Sequence, residues 1–161
     1  MDYPRHLAVY FRSIANALTR ELDQKAEQMG LTSSQGIFLH RIWVCQEKLQ
    51  MPIYAKDLED FFDIKHSTVS GILQRMEAAG YVEFLPSPDD KRCKSIHLTD
   101  KALETHAQME AHLLQTNDRL VANMSPEEVE LFLRLLQTAA ENMGVCLSCH
   151  LTSTPKEGSD T

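Results

Sequence analysis

Apolar residues recur at helical spacing from the start of the chain. Leu7, Tyr10, Phe11, Ile14, Leu18, Leu22, Ala26 and Met29 form one stripe, with Arg12, Arg20, Glu21, Lys25 and Glu27 on the other faces. The pattern predicts a first helix that stops at Gly30. Thr32 and Gln35 then have the spacing of a capping box, in which each side chain satisfies the other residue's free amide. Ile37, Phe38, Leu39, Ile42 and Trp43 carry a second helix that fades near Lys48. Pro52 keeps Met51 out of the helical region, so Pro52-Ile53-Tyr54 reads as a short extended piece.

Two short helical patterns follow. Ala55 to Phe62 carries Leu58, Phe61 and Phe62; Ser67 to Ala79 carries Val69, Ile72, Leu73 and Met76 on one face and ends at Gly80. The connection between them holds one aliphatic residue, Ile64, as a helix-turn-helix requires. The period then changes: Tyr81 to Leu85 and Lys94 to Leu98 read as β strands, with the polar, proline-bearing tip Pro86 to Arg92 between them. Residues 31–99 therefore read as a winged helix-turn-helix.

Thr99 is placed to cap a long helix from Asp100 towards Val121. Ser125-Pro126-Glu127-Glu128 is a helix start with the cap, the proline and the acid in register. The last helix shows Val129, Phe132, Leu133, Leu136, Ala139, Ala140 and Met143, with Leu131 and Leu135 on a second side. That is more apolar surface than one neighbouring helix covers, and it points to burial against a partner subunit. The predicted fold is mainly α with a small β hairpin (α+β). Residues 1–30 and 100–145 form a helical dimerisation region around the winged unit, and 146–161 a flexible tail.

Composition narrows the class. With 43% apolar and 24% charged residues in 161, the chain reads as a soluble globular protein, and no apolar run is long enough to span a membrane. His6 to Phe11 is closed by Arg5 and Arg12, so it makes no secretory leader, and the expected location is the cytoplasm. Cys45, Cys93, Cys146 and Cys149 are then expected as thiols. The net charge of −7 is uneven: residues 1–55 sum to +1, 56–101 to −2 and 102–161 to −6. A basic surface outside the acidic C-terminal third stays open.

The stretch from Ile64 to Met76 contains no acid. A helix entering a major groove lined by phosphates needs that, together with short hydroxyls and amides for base edges and longer cations for phosphates. Ser67, Thr68, Ser70 and Gln74 suit the first task, and Lys65 and Arg75 the second; His66 lies at the same helix start. In the hairpin tip, Asp90 is spaced to hold the guanidinium of Arg92, which with Lys91 is the candidate minor-groove contact.

The ordered set Leu31-Thr-Ser-Ser-Gln35, Asp57-Leu58, Ser67-Thr-Val-Ser70, Met76-Glu77, Gly80-Tyr-Val82, Pro88-x-Asp90-x-Arg92 and Leu98-Thr99 resembles the multiple antibiotic resistance regulators, the MarR family, over residues 5–143. The resemblance implies a homodimeric repressor that binds a pseudo-palindromic operator on double-stranded DNA and leaves it when a small effector is sensed. It places the recognition helix at 67–79 and the wing at 82–98, with the first and the last two helices as the dimer interface. Ser87 stands where the family often has Asp, a change in the hairpin rather than in the DNA contact.

The resemblance also implies a crevice for an aromatic or phenolic effector, lined in this chain by Tyr10, Phe11, Phe38, His40, Arg41 and Trp43. No cofactor and no metal site are expected. The nearest metal candidates are Cys146, Cys149 and His150, where a single Cys-x-x-Cys pair supplies too few ligands but leaves metal or thiol-redox sensing as an alternative trigger. Cys93, between Arg92 and Lys94, is a second candidate thiol. No phosphate loop, nucleophile elbow or zinc-protease helix is present, so no catalysis is expected. A winged helix used only for protein contact is the other class that the acidic total charge keeps open.

Overall fold

The computed structural model of the chain describes residues 6–86 and 93–145. Helix α1 runs over Leu7–Gln28 and α2 over Ser33–Trp43, continued by a π-helical turn at Val44–Lys48. Helices α3 (Ala55–Phe62) and α4 (His66–Ala78) precede the antiparallel pair β1 (Val82–Pro86) and β2 (Lys94–Leu98). The long α5 (Asp100–Leu120) and α6 (Pro126–Asn142) complete the order, a mainly helical chain with one hairpin, as the periodicities predict.

Local chemistry sets the helix ends. Thr32 N–H donates to Gln35 Oε1 at 2.8 Å and Gln35 N–H to Thr32 Oγ1 at 3.3 Å, the reciprocal box expected at the start of α2. Thr99 Oγ1 accepts from Ala102 N–H, and Ser125 Oγ from Glu128 N–H, at the starts of α5 and α6. Gly30 and Gly80 both sit at φ +75°, closing α1 and α4 with left-handed turns that disfavour a side chain.

Small shifts from the predicted boundaries have local reasons. Helix α4 starts one residue before the expected 67, because the Lys65 carbonyl already accepts from the Thr68 and Val69 amides. Strand β1 starts at Val82 rather than Tyr81, because the Tyr81 amide is used by the Met76 carbonyl at the end of α4. Residues 52–54 form no strand; Ile53 O accepts one bond from Ile96 N–H at 2.9 Å. The rest of that β2 edge is met by the Gln46 side chain, whose Nε2 donates to Ile96 O at 2.8 Å and whose Oε1 accepts from Leu98 N–H at 3.2 Å. One amide thus stands in for a third strand and blunts the open edge.

The core gathers Leu39 and Ile42 of α2, Ile53, Leu58 of α3, Val69, Leu73 and Met76 of α4, Ile96 of β2 and Ala102 of α5, all essentially without exposed surface. Helices α2 and α5 approach closely at Gly36, where a Cβ would meet Met109 Cε at 3.0 Å. Helix α1 is tied to α5 by Arg119, whose two terminal nitrogens reach the Glu21 carboxylate at 2.7 and 3.0 Å, with Thr116 Oγ1 adding a bond. The Arg119 guanidinium holds Glu21 below its usual carboxylate range. Helix α6 has no buried residue, and Leu131, Leu133 and Leu135 are exposed on it.

Replacing Gln46 with Ala leaves the Ile96 carbonyl and the Leu98 amide without these partners. Unfolding in urea is expected to show a loss of roughly 1–3 kcal/mol; an unchanged midpoint and slope would mean that water replaces the amide freely.

Candidate nucleic-acid interface

Helix α4 is two-sided. Val69, Ile72, Leu73 and Met76 are buried, whereas Lys65, His66, Ser67, Thr68, Gln74 and Arg75 are exposed and Ser70 is half-buried. His66, Ser70 and Gln74 follow one another at single-turn spacing along the outer face. Arg75 lies back along the helix, with Nη1 3.6 Å from where a Cβ on Gly71 would stand. The seven predicted residues from 65 to 75 therefore lie on the start or the outward side of one rigid helix. Short polar groups sit in its first turns, and its N-terminal amides add partial positive charge.

An acid absent from that stretch nevertheless reaches it. Glu59 of α3, with only 14% of its side chain exposed, places Oε1 2.5 Å from His66 Nδ1, and Ser70 Oγ lies 3.2 Å from His66 Nε2. The left-handed Asp63, at φ +51°, turns the chain between α3 and α4 and makes this meeting possible. Sequence reading missed Glu59 because its partner lies across a turn, where helical periodicity no longer connects them.

The hairpin pairs Val82 with Leu98 through Pro86 with Lys94. It projects from the same unit and carries Lys94 at its described end. Asp90, Lys91 and Arg92 lie outside the described residues, as do Cys146, Cys149 and His150.

Comparison with known proteins bears on this arrangement. Residues 48–92, from the π-helical turn through α3, α4 and β1 into the hairpin tip, match the family model described as the MarR family. Over these residues the chain is similar to the MarR family. It is 26% identical over 133 residues to an HTH-type transcriptional regulator, YwoH of Bacillus subtilis, covering 83% of this chain and 93% of that protein. MepR, a transcription regulator of the Staphylococcus aureus multidrug efflux pump MepA, shares the fold with a TM-score of 0.74 at 23% identity, over 85% of this chain and 98% of MepR. A structure of the S. aureus MepR–DNA complex matches with a TM-score of 0.66 at 23% identity, over 85% of this chain and 96% of that one. YwoH and MepR are both described as transcriptional regulators.

The six residues expected to line an effector crevice divide between two sides of α2 and the outer face of α1. Phe38 is buried and stacks on Phe62 of α3 at 5.0 Å, and the buried Arg41 guanidinium lies 3.8 Å over Phe61. Arg41 Nη1 is buried with no hydrogen-bond partner among the described residues. His40 and Trp43 face α5 instead: His40 Nδ1 is 3.0 Å from His106 Nε2, and the Trp43 and His106 rings stack at 4.2 Å. Tyr10 and Phe11 are exposed on α1. A cleft of about 350 Å³ lies elsewhere, between the π-helical turn and β2, lined by residues that include Gln46, Met51, His97 and Leu103.

Cys45 is buried, as expected of a small apolar filler, and burial pushes its thiol up; Cys93 is exposed. Among the described residues no three His, Cys, Asp or Glu side chains gather as a metal site, and no helix is long and apolar enough to cross a membrane.

Burial and then the neighbouring His40 lower His106 to about 4, against an opposing pull from Glu110. His40 is lowered as well, mainly by desolvation. A histidine kept neutral in the fold but free to charge when unfolded gives stability that is complete above the ordinary histidine pKa of about 6.5 and is lost as pH falls towards 4. For His106 alone the loss is about 3 kcal/mol at most. Replacing His106 with Phe keeps a ring against Trp43 and removes the proton site, so the acid limb of a stability–pH curve is expected to flatten; an identical limb would place the titration elsewhere.

Proposed function

We propose that the chain is a homodimeric repressor that binds a pseudo-palindromic operator through α4 and the hairpin and releases it when a small aromatic acid or phenol binds. The observation that carries the reading is the outer face of α4: an exposed, hydroxyl- and amide-bearing surface, flanked by Lys65 and Arg75, on a helix whose inner face is locked in the core. Ser67, Thr68, Ser70 and Gln74 are assigned to base edges, Lys65 and Arg75 to the DNA backbone, His66 to the helix entry, and Asp90, Lys91 and Arg92 to the wing. MepR, of the same fold, is known in a complex with DNA.

Residues 31–99 are taken as the DNA-binding unit, with 1–30 and 100–145 as the dimerisation region. Support comes from the unburied α6, with its exposed leucines, and from Leu7, Val9, Phe11 and Ile14 exposed on α1. Apolar surface on two outer helices of one chain is what a second copy would cover. For the effector, the buried and unpartnered Arg41 Nη1 supports an acidic group, since such a nitrogen is costly to leave unsatisfied. Aromatic neighbours Phe38, Trp43, Tyr10 and Phe11, with His40, would take the ring.

Affinity for an operator duplex is expected to fall steeply with salt, in proportion to the phosphates engaged. Arg92→Ala should weaken it by roughly tenfold, the size of one charged hydrogen bond, with the dimer intact. A protein-contact module would show no salt slope on any duplex.

The dimer is tested separately. Leu133→Asp combined with Leu135→Asp is expected to give monomers by light scattering and to abolish cooperative occupation of two half-sites about one helical turn apart. A dimer that survives both changes moves the interface off α6.

A further inference from the structure

We infer that Glu59, His66 and Ser70 form a hydrogen-bond relay that fixes Ser70 as an acceptor, so that it reads the exocyclic amino group of adenine or cytosine in the major groove. The inference rests on the proposed entry of α4 into that groove.

The chemistry follows from which atoms can donate. An ionised carboxylate only accepts, so the contact of Glu59 Oε1 with His66 Nδ1 requires the proton to sit on Nδ1. Glu59 is well placed to impose this, because its side chain is largely buried at the α3–α4 junction and Lys56 Nζ lies 3.9 Å from its other oxygen. In neutral imidazole the second nitrogen is then a bare acceptor. Ser70 Oγ, 3.2 Å from that Nε2, donates its single proton to it.

A free serine hydroxyl pairs with base donors and base acceptors alike, which makes serine a poor discriminator. Once its proton is committed inward, only lone pairs remain to face the groove. Adenine N6 and cytosine N4 supply the donors that such an oxygen accepts; thymine O4 and guanine O6 and N7 do not. Ser70 stands midway along the His66–Ser70–Gln74 row, so the polarised oxygen lies among the groups assigned to base edges. Every base pair carries one amino-bearing and one keto-bearing base in the major groove. The relay therefore sets the orientation of one pair in each half-site.

The test uses the full-length protein and a duplex library with a randomised core. Wild type is expected to enrich a motif, and Ser70→Ala to relax one position per half-site within it. At that position, a base lacking the amino group (purine for adenine, 2-pyrimidinone for cytosine) should cost wild type roughly tenfold in affinity and Ser70→Ala nothing. His66→Ala and Glu59→Ala should relax the same position and no other, and the exposed His66 gives a variant that keeps the core intact if Glu59→Ala melts early. A merely structural role would lower affinity for every sequence alike. Failure of wild type to enrich any motif overturns DNA reading and the relay together. A motif that survives while amino deletion costs nothing, or while His66→Ala keeps the full discrimination, overturns the relay alone and leaves DNA binding standing.

Discussion

The burial of one side of α4 is the constraint on which the rest depends. Val69 and Met76 have no exposed surface and Leu73 almost none, and they share one core with Leu39 and Ile42 of α2, Leu58 of α3 and the hairpin residue Ile96. Core side chains packed to this density sit in single rotamers and resist displacement. The outer face inherits that rigidity at no cost in hydrophobic burial, which is why it can be made of serines, threonine and glutamine. Short side chains lose little entropy when they meet a base, but they have short reach, so they serve only on a helix held firmly in place.

The same logic explains the hairpin. Two strands alone are marginal in water, and β2 is steadied on its open edge by Gln46 and Ile53, on its inner face by the core, and at its end by the Thr99 cap of α5. Lys101 adds a bond from its ammonium to the Ala79 carbonyl at 2.7 Å and lies over the Tyr81 ring, so the root of the wing is fastened to the C-terminus of α4. The helix that would read the groove and the hairpin beside it are therefore one mechanical unit.

What the sequence revealed, and what it hid, divides by range. The boxes at Thr32 and Ser125, the stops at Gly30 and Gly80, and the inner stripe of α4 involve residues at most a few positions apart, and each was legible from spacing. The hairpin, the buried Cys45 and the excess apolar surface of α6 were legible from period and count. Three contacts were not. Gln46 meets β2 across 50 residues, His40 meets His106 across 66, and Glu59 meets His66 across a left-handed turn. Each joins polar groups, which have no periodic signature, and each depends on how helices cross rather than on what they are made of.

That division bears most on the six residues expected to line an effector crevice. Residues 38 to 43 look like one aromatic and basic cluster in a linear chain, but on a helix with 3.6 residues per turn they point in different directions. Phe38 and Arg41, three apart, turn to the phenylalanines of α3, while His40 and Trp43, also three apart, turn to His106 of α5. Helix α2 is thus a two-sided bracket, with α3 on one side and α5 on the other. One side presents the buried Arg41, whose Nη1 has no hydrogen-bond partner among the described residues; the other presents the stacked rings of His40, Trp43 and His106. Because α2 itself is locked by Leu39 and Ile42 at zero exposure, neither side can be displaced without moving the helix that both share. A displacement at either face would therefore reach α4 through the packing of α2 against it.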